Sequence, residues 1–201
     1  EKLQALKKKK TLLEQYKKGV MQKIFSQEIR FRDDNGKEYP EWEIQPLSVI
    51  SYIEKGEQLN KEELSDNKKY PCLNGGITPS GFTDKFNTKE NTITISEGGN
   101  SCGFVNYVKE KFWCGGHCYK IEPTYIVDKY LYHVLKFNEK QIMNLRVGSG
   151  LPNIQKKSLS EYRIRISKHT KEQNKIANFL SAIDDKINHC QTQIEKTEMW
   201  K

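Results

Sequence analysis

The chain has 201 residues, of which 30% are charged, and 34 Lys and Arg face 26 Asp and Glu to give a formal net charge of +8. A basic balance of this size favours a polyanionic partner without identifying it. No apolar run approaches the ~20 residues that cross a bilayer, and no signal-peptide pattern is present, so the sequence predicts a cytoplasmic protein that does not span a membrane.

A long helix is predicted at the start of the chain, from about Lys2 to Ser26. At ~1.5 Å per residue it would be roughly 35 to 40 Å long, which is long for a helix that has no partner. Its apolar residues follow a loose helical spacing inside a lysine-rich run, and they are Leu3, Leu6, Leu13, Val20 and Ile24.

The segment from Trp42 to Ile166 predicts a domain of a different kind. Period-two alternation of β-branched and aromatic residues predicts strands at 92–96, 103–108, 118–121 and 162–166. The connecting loops are rich in Gly and Asn, and one stretch, 126–144, has the spacing of a helix. We therefore expect an α+β domain with one substantial internal helix.

The last helix is predicted to be a coiled-coil strand, because its apolar positions alternate between steps of four and three residues. This spacing keeps one narrow stripe on one side of the helix, and the stripe requires a partner helix. The stripe consists of Ile176, Leu180, Ile183, Ile187, Cys190, Ile194 and Thr197.

Together these patterns predict an α+β fold with mixed or antiparallel strands at residues 28–168. Long helices at 1–27 and 169–201 flank this domain, and we expect them to form an antiparallel coiled coil, either with each other or with a second copy. The chain does not begin with Met, and its ends, 1–7 and 195–201, are weakly alike. We therefore expect a fragment or processed chain that spans one period of a tandem repeat.

Three segments together resemble the specificity subunit of a type I restriction-modification system. The most specific is the Glu-Gln-x-x-Ile-x-x-x-Leu-x-x-x-Asp-x-x-Ile pattern at 172–187, directly after a predicted strand. The others are the Gly-Ser-Gly-Leu-Pro-Asn-Ile-Gln loop at 148–155 and the Tyr-Pro-Glu-Trp junction at 39–42. The resemblance covers nearly the whole chain but only half of such a subunit. One departure is that residues 167–170 lack the prolines usual in the family.

The resemblance implies a protein without catalytic activity or cofactor. Its target-recognition domain would read one half of a split double-stranded DNA sequence, and its helices would hold two such domains apart and dock methyltransferase and restriction subunits. The sequence has no Asn-Pro-Pro-Tyr, Gly-x-Gly-x-x-Gly or phosphate-binding Gly-x-x-x-x-Gly-Lys motif, which agrees with a non-catalytic role. Two half-subunits are also expected to self-associate.

Candidate DNA-binding residues are short polar side chains beside glycines, where a backbone can approach a ligand closely, and basic side chains nearby. For each loop the alternative is that Asn and Gly only build a turn. Lysines of the first helix have two open interpretations as well, a solvated face or contact with DNA. The candidates are Asn74, Thr78, Ser96, Asn100, Ser101, Lys111, His117, Arg146, Ser149, Asn153, Gln155, Lys156 and Lys157.

Two further interpretations are open in the middle of the chain. Phe112 and Trp113 fit core packing better than stacking on a displaced base. Cys114, His117 and Cys118 have suitable chemistry for zinc but lack paired Cys-x-x-Cys spacing, so we predict no metal site. All five cysteines, odd in number, are expected to be reduced.

The leading alternative function is a coiled-coil scaffold whose α+β domain binds protein or carbohydrate. An enzyme is the third possibility, and methyltransferase activity of this polypeptide alone would favour it. DNA recognition instead predicts binding that discriminates among sequences and weakens steeply with salt.

Overall fold

The computed structural model describes residues 1–148 and 150–199, so the candidate residue Ser149 lies outside the described residues. The chain forms two compact units. Residues 1–41 and 169–201 make a helical unit, and residues 42–168 make a unit of strands and short helices. The predicted α+β class is confirmed.

The helical unit is built on two long helices, α1 (Lys2–Phe25) and α6 (Thr170–Met199), which pack against each other. They run antiparallel, because Lys7 pairs with Glu198 at 2.6 Å while Lys17 pairs with Asp184 at 2.5 Å. The predicted antiparallel coiled coil is confirmed. Its predicted apolar positions are buried at Ile24, Ile176, Leu180, Ile183, Cys190 and Ile194, and half-buried at Leu3, Leu6, Leu13, Val20, Ile187 and Thr197.

The seam of α1 also contains lysines. Counting from Leu6 in steps of four and three gives Lys10, Leu13, Lys17 and Val20, and all of these positions are half-buried. The apolar spacing of α1 looks loose in the sequence because two positions of an otherwise regular seam are lysines rather than apolar residues.

The segment that follows α1 belongs to the helical unit, although the sequence grouped residues 28–41 with the recognition domain. Lys175 of α6 donates to the backbone carbonyl of Arg32 at 2.7 Å and to the carboxylate of Asp34 at 2.9 Å. Phe31 meets Phe179 edge-on, with ring centroids 5.9 Å apart. These contacts attach the segment to α6.

The strands of the second unit are β1 (Glu43–Pro46), β2 (Ser51–Lys55), β3 (Tyr70–Leu73), β4 (Phe82–Thr83), β5 (Thr92–Ser96), β6 (Val105–Val108), β7 (Trp113–Cys114), β8 (Cys118–Pro123) and β9 (Arg163–Ile166). The central sheet has the order β2-β8-β5-β6 and is antiparallel throughout. β1 pairs antiparallel with β9. In the third sheet, β3 is antiparallel to β4 and parallel to β7.

The short helices of this unit are α2 (Leu47–Ile50), α3 (Asp128–Phe137), α4 (Glu139–Met143) and α5 (Lys156–Glu161). The prediction of one helix over 126–144 is wrong, because Asn138 divides it into α3 and α4. The side-chain amide of Asn138 donates to the carbonyl of Val134 at 2.8 Å, and its own carbonyl accepts from Ile142 at 2.9 Å. One residue thus ends one helix and starts the next.

The core of the second unit lies around the central sheet, where β5 is buried at every position. Phe112 is fully buried, and the indole of the half-buried Trp113 donates to the carbonyl of Glu57 at 2.8 Å, so this pair packs within the unit. All five cysteines are buried and free. Within the described residues, no helix has the length and apolarity needed to cross a membrane.

Candidate functional site

A cleft of about 650 Å³ opens in the second unit where several loops meet. The loops that follow β3, β5 and β7 meet there with the segment after α4, and the last residue of β2, Lys55, completes the lining. The predicted site residues that the structure brings together here are Asn74, Asn100, Ser101, His117 and Asn153.

Asn74 connects the loop after β3 to the loop after β7 on one side of the cleft. Its side-chain oxygen accepts from the backbone N–H of His117 at 3.0 Å. Gly115 packs so closely that an added Cβ would lie 2.6 Å from that oxygen, and Gly75, at φ +85°, has no room for a Cβ beside the carbonyl of His117. These two glycines are required by close backbone approach, which the predicted loop chemistry anticipates.

The loop after β5 is connected to the segment after α4 elsewhere in the cleft lining. The backbone N–H of Gly99 donates to the carbonyl of Pro152 at 3.1 Å. Val147 and Asn153 exchange two backbone hydrogen bonds, of 2.8 and 3.0 Å, and so close the loop that carries Leu151. Leu151 lines the cleft yet is 85% exposed. An apolar side chain is therefore presented to solvent beside a set of amides.

Glu97 lies at the floor of the cleft and was not among the predicted residues. Its side chain is 12% exposed, and its two oxygens face side-chain nitrogens: Nζ of Lys55 lies 2.6 Å from Oε1, and Nδ1 of His117 lies 3.4 Å from Oε2. The hydroxyl of Tyr119 lies 3.3 Å from Oε1 and donates at 2.9 Å to the carbonyl of Ile154. Burial and the nearby carboxylate raise the pKa of Tyr119 to about 12, so it stays a hydrogen-bond donor.

The sequence contained a signal for these missed residues. Glu97 stands between the predicted site residues Ser96 and Asn100, but a carboxylate is not an obvious contact for a polyanion. Lys55 lies within the segment 54–66, in which acidic residues predominate, and this composition hid a lysine that lines the cleft.

The remaining predicted residues lie elsewhere in the unit. Ser96 is 4% exposed inside β5, so its hydroxyl faces the interior. Lys111 lies over the ring of Phe86, with Nζ 4.7 Å from the centroid. Outside the cleft lining, the exposed candidates are Thr78, Arg146, Gln155, Lys156 and Lys157.

The cysteines near the cleft are buried as protonated thiols. Burial raises the pKa of Cys72 and of Cys102, and the pKa of Cys114 is raised by its hydrogen bond with Cys118 and by burial. His117 is directed at Glu97, away from these thiols. In residues 1–148 and 150–199, no group of three His, Cys, Asp or Glu side chains is arranged to hold a metal ion.

The chemistry of this cleft suits recognition. Amide side chains offer a donor and an acceptor each, and a lysine and a histidine stand beside them. Paired donors and acceptors of this kind match base edges in a groove of a duplex, and cations match phosphates.

Comparison with known proteins gives consistent matches. The profile described as "Type I restriction modification DNA specificity domain" matches residues 39–198. A putative type I specificity subunit of Mycoplasma genitalium is 36% identical over 157 residues, which are 77% of this chain and 41% of that protein. A counterpart from Mycoplasma pneumoniae is 37% identical over 157 residues, 77% of this chain and 42% of that protein.

Solved structures match as well. The S subunit of a type I restriction-modification system from M. genitalium superposes with a TM-score of 0.78 at 31% identity, covering 85% of this chain and 45% of that chain. The HsdS subunit from Thermoanaerobacter tengcongensis shares the fold, with a TM-score of 0.62 at 15% identity over 94% of this chain and 48% of that one. This chain spans about two fifths of the length of the relatives that its sequence matches.

Proposed function

The chain belongs to the type I restriction modification DNA specificity family, and from this we propose that it recognises a specific double-stranded DNA sequence within a type I restriction-modification complex in the cytoplasm. In this proposal the α+β unit reads one half of a bipartite target. The chain itself performs no catalysis and needs no cofactor, and methylation and cleavage belong to partner subunits.

The cleft is the observation that carries the proposal. Side chains able to read bases converge on it from loops far apart in the chain, among them Asn100 and Asn153, while Asn74 holds the backbone of His117. An Asn amide carries a donor and an acceptor that can bond a base edge, whereas phosphate contacts carry no direct sequence information. Since the structure concentrates amides in the cleft, we assign base reading to the cleft.

Phosphate contacts are assigned to exposed basic residues outside the cleft lining. Arg146 precedes the loop that carries Leu151, and Lys156 and Lys157 open α5 on its other side. Together with Lys111 they would hold the DNA backbone on either side of the bases being read. Each phosphate neutralised steepens the salt dependence of binding by about 0.9 in a plot of log affinity against log salt.

The two long helices are assigned a different task. We propose that α1 and α6 separate two recognition units and dock methyltransferase and restriction subunits. A bipartite target requires a second recognition unit, and we propose that self-association of two copies can supply it. Two copies related by a two-fold axis would impose a palindromic split target.

Methylome sequencing tests the proposal most directly. Cells that express this chain with its methyltransferase subunits should acquire methylation at one bipartite sequence, and cells that express the methyltransferase subunits alone should not. Selection of duplexes from a random pool by the same purified complex should recover the same sequence. If neither experiment returns a preferred sequence, the proposed function is wrong.

A further inference from the structure

We propose that Glu97 is a positioning residue of the cleft, which holds Lys55 and His117 in the orientation that contacts DNA. The carboxylate then strengthens DNA binding even though its own charge opposes a polyanion. This inference rests on the proposed function. It predicts that removing the Glu97 carboxylate weakens DNA binding, whereas simple charge repulsion predicts that removal strengthens it.

The exposures of the three side chains show the arrangement. The side chain of Glu97 is 12% exposed, whereas those of Lys55 and His117 are 50% and 63% exposed. The carboxylate is therefore at the floor, and the two groups that it faces stand at the mouth, where a ligand would meet them. A mostly buried carboxylate has little direct access to a duplex.

Glu97 is itself held firmly. Its backbone N–H donates to the carbonyl of His117 at 2.9 Å, and its carbonyl accepts from Ile154 at 2.8 Å. The hydroxyl of Tyr119 approaches its side chain at 3.3 Å. A fixed acceptor of this kind restricts the side chains that bond to it.

Holding a side chain in one conformation matters because a lysine has many rotamers, and the entropy lost when they are ordered on binding weakens affinity. Lys55 bonded to Glu97 is already ordered before DNA arrives. Coulomb's law alone makes the contrary prediction, since removing one negative charge near DNA should tighten binding. The sign of the effect therefore distinguishes positioning from simple charge repulsion.

The experiment uses the full chain in its complex with methyltransferase subunits and the duplex recovered by selection. Binding of wild type, Glu97→Gln, Lys55→Gln and the double variant is measured between 50 and 200 mM salt, a range over which phosphate contacts are resolved. We expect Glu97→Gln to weaken binding roughly tenfold, which a charge-assisted contact accounts for. The plot of log affinity against log salt should become shallower by about 0.9, as it should for Lys55→Gln. The loss of affinity in the double variant should be smaller than the product of the fold-losses in the two single variants.

Glu54→Gln is the matched control. Glu54 pairs with Lys120 at 3.0 Å in the same unit but does not line the cleft. We expect its removal to leave binding unchanged or slightly tighter. If Glu97→Gln does not fold, Glu97→Asp replaces it, since Asp keeps the charge but withdraws the carboxylate from Lys55 by one methylene. We expect Glu97→Asp to show the same loss of affinity and the same shallower dependence of log affinity on log salt.

Unchanged or tighter binding by Glu97→Gln or Glu97→Asp, with an unaltered salt slope, would overturn the role of Glu97. Failure of the wild-type complex to prefer any duplex would overturn the proposed function instead. The two failures are distinguishable because the second is seen before any variant is made.

Discussion

Leu151 borders the cleft with 85% of its surface exposed, between Gly150 and Pro152. Exposure of a single leucine is ordinary, but this one stands among amide side chains at the proposed DNA-reading surface. DNA-binding proteins insert such side chains between base steps and partially unstack them. The position of Leu151 therefore suits a wedge.

Leu151→Ala should separate binding from stability. Because the side chain is exposed, the free energy of unfolding should change by less than about 0.5 kcal/mol. Affinity for the target duplex should fall by roughly tenfold, since burying a leucine side chain contributes about 1.5–3 kcal/mol. Fluorescence of 2-aminopurine placed in the target would report whether unstacking is lost.

Leu12→Ala supplies the control for Leu151→Ala, since Leu12 is 55% exposed on α1, outside the cleft. We expect it to leave DNA affinity unchanged. Equal losses in the two variants would contradict a specific role for Leu151.

The pairing of α1 with α6 depends on a polar contact inside its seam. Lys17 occupies a seam position of α1 and its side chain is 13% exposed, while its partner Asp184 is 28% exposed. Asp184 is therefore half-buried beside the seam and does not belong to the solvated face of α6. A polar pair among apolar residues fixes the register of a coiled coil at some loss of stability.

Asp184→Ala should destabilise the helical unit by about 1–3 kcal/mol, because it leaves the Lys17 ammonium without its partner in a half-buried seam. The double variant Lys17→Met with Asp184→Ala should recover most of this loss, since the seam then has no unpaired charge. Urea denaturation followed by circular dichroism measures both.

Lys7 and Glu198 provide the comparison within the same pair of helices, because their side chains are 55% and 46% exposed. Glu198→Ala should cost no more than about 0.5 kcal/mol. A similar loss in Glu198→Ala and Asp184→Ala would show that burial of the Lys17 pair has no special effect.

For the molecule as a whole, the raised pKa values set an alkaline limit to stability. The pKa values of Cys72, Cys102 and Tyr119 are raised mainly by burial, and those of Lys85 and Lys175 by hydrogen bonds to carboxylates. A group with a raised pKa binds protons more tightly in the folded state. Its contribution to stability is therefore complete below the ordinary pKa and lost as pH rises towards the raised pKa.

The melting temperature should accordingly fall as pH rises from about 9, the ordinary thiol value, to about 12, where Tyr119 ionises. Differential scanning calorimetry at intervals from pH 7 to pH 12 would measure this. In Tyr119→Phe the decrease between pH 10 and pH 12 should be smaller than in wild type. A melting temperature that stays constant to pH 12 would contradict the assignment.

Periodic patterns in the sequence made the helices and strands predictable. Parts of the cleft were not predictable, because they form only where segments distant in the sequence meet in the folded protein. The alternation at 92–96 gives β5 with its observed bounds, yet it could not place Ser96 correctly, because β5 lies between two strands and is buried on both faces. Asn138 breaks a helix through a local side-chain bond that helical spacing does not reveal.

The cleft itself required distant parts of the chain to meet. Lys55 ends β2 and Glu97 follows β5, 42 residues further along the chain, so no local pattern relates them. Glycine-flanked amides were predictable because close backbone approach leaves a local signal in composition. An ion pair between elements leaves none.

The seam of the coiled coil has a consequence for the DNA that such a protein can accept. Because the seam repeats every seven residues, the paired helices can gain or lose a whole heptad, about 10.5 Å of axial rise, and keep the same seam. At 3.4 Å per base pair, one heptad corresponds to about three base pairs of duplex. If the helices set the distance between two recognition units as proposed, a variant that gains one heptad with the Lys17–Asp184 register kept should shift the accepted gap in the target by about three base pairs.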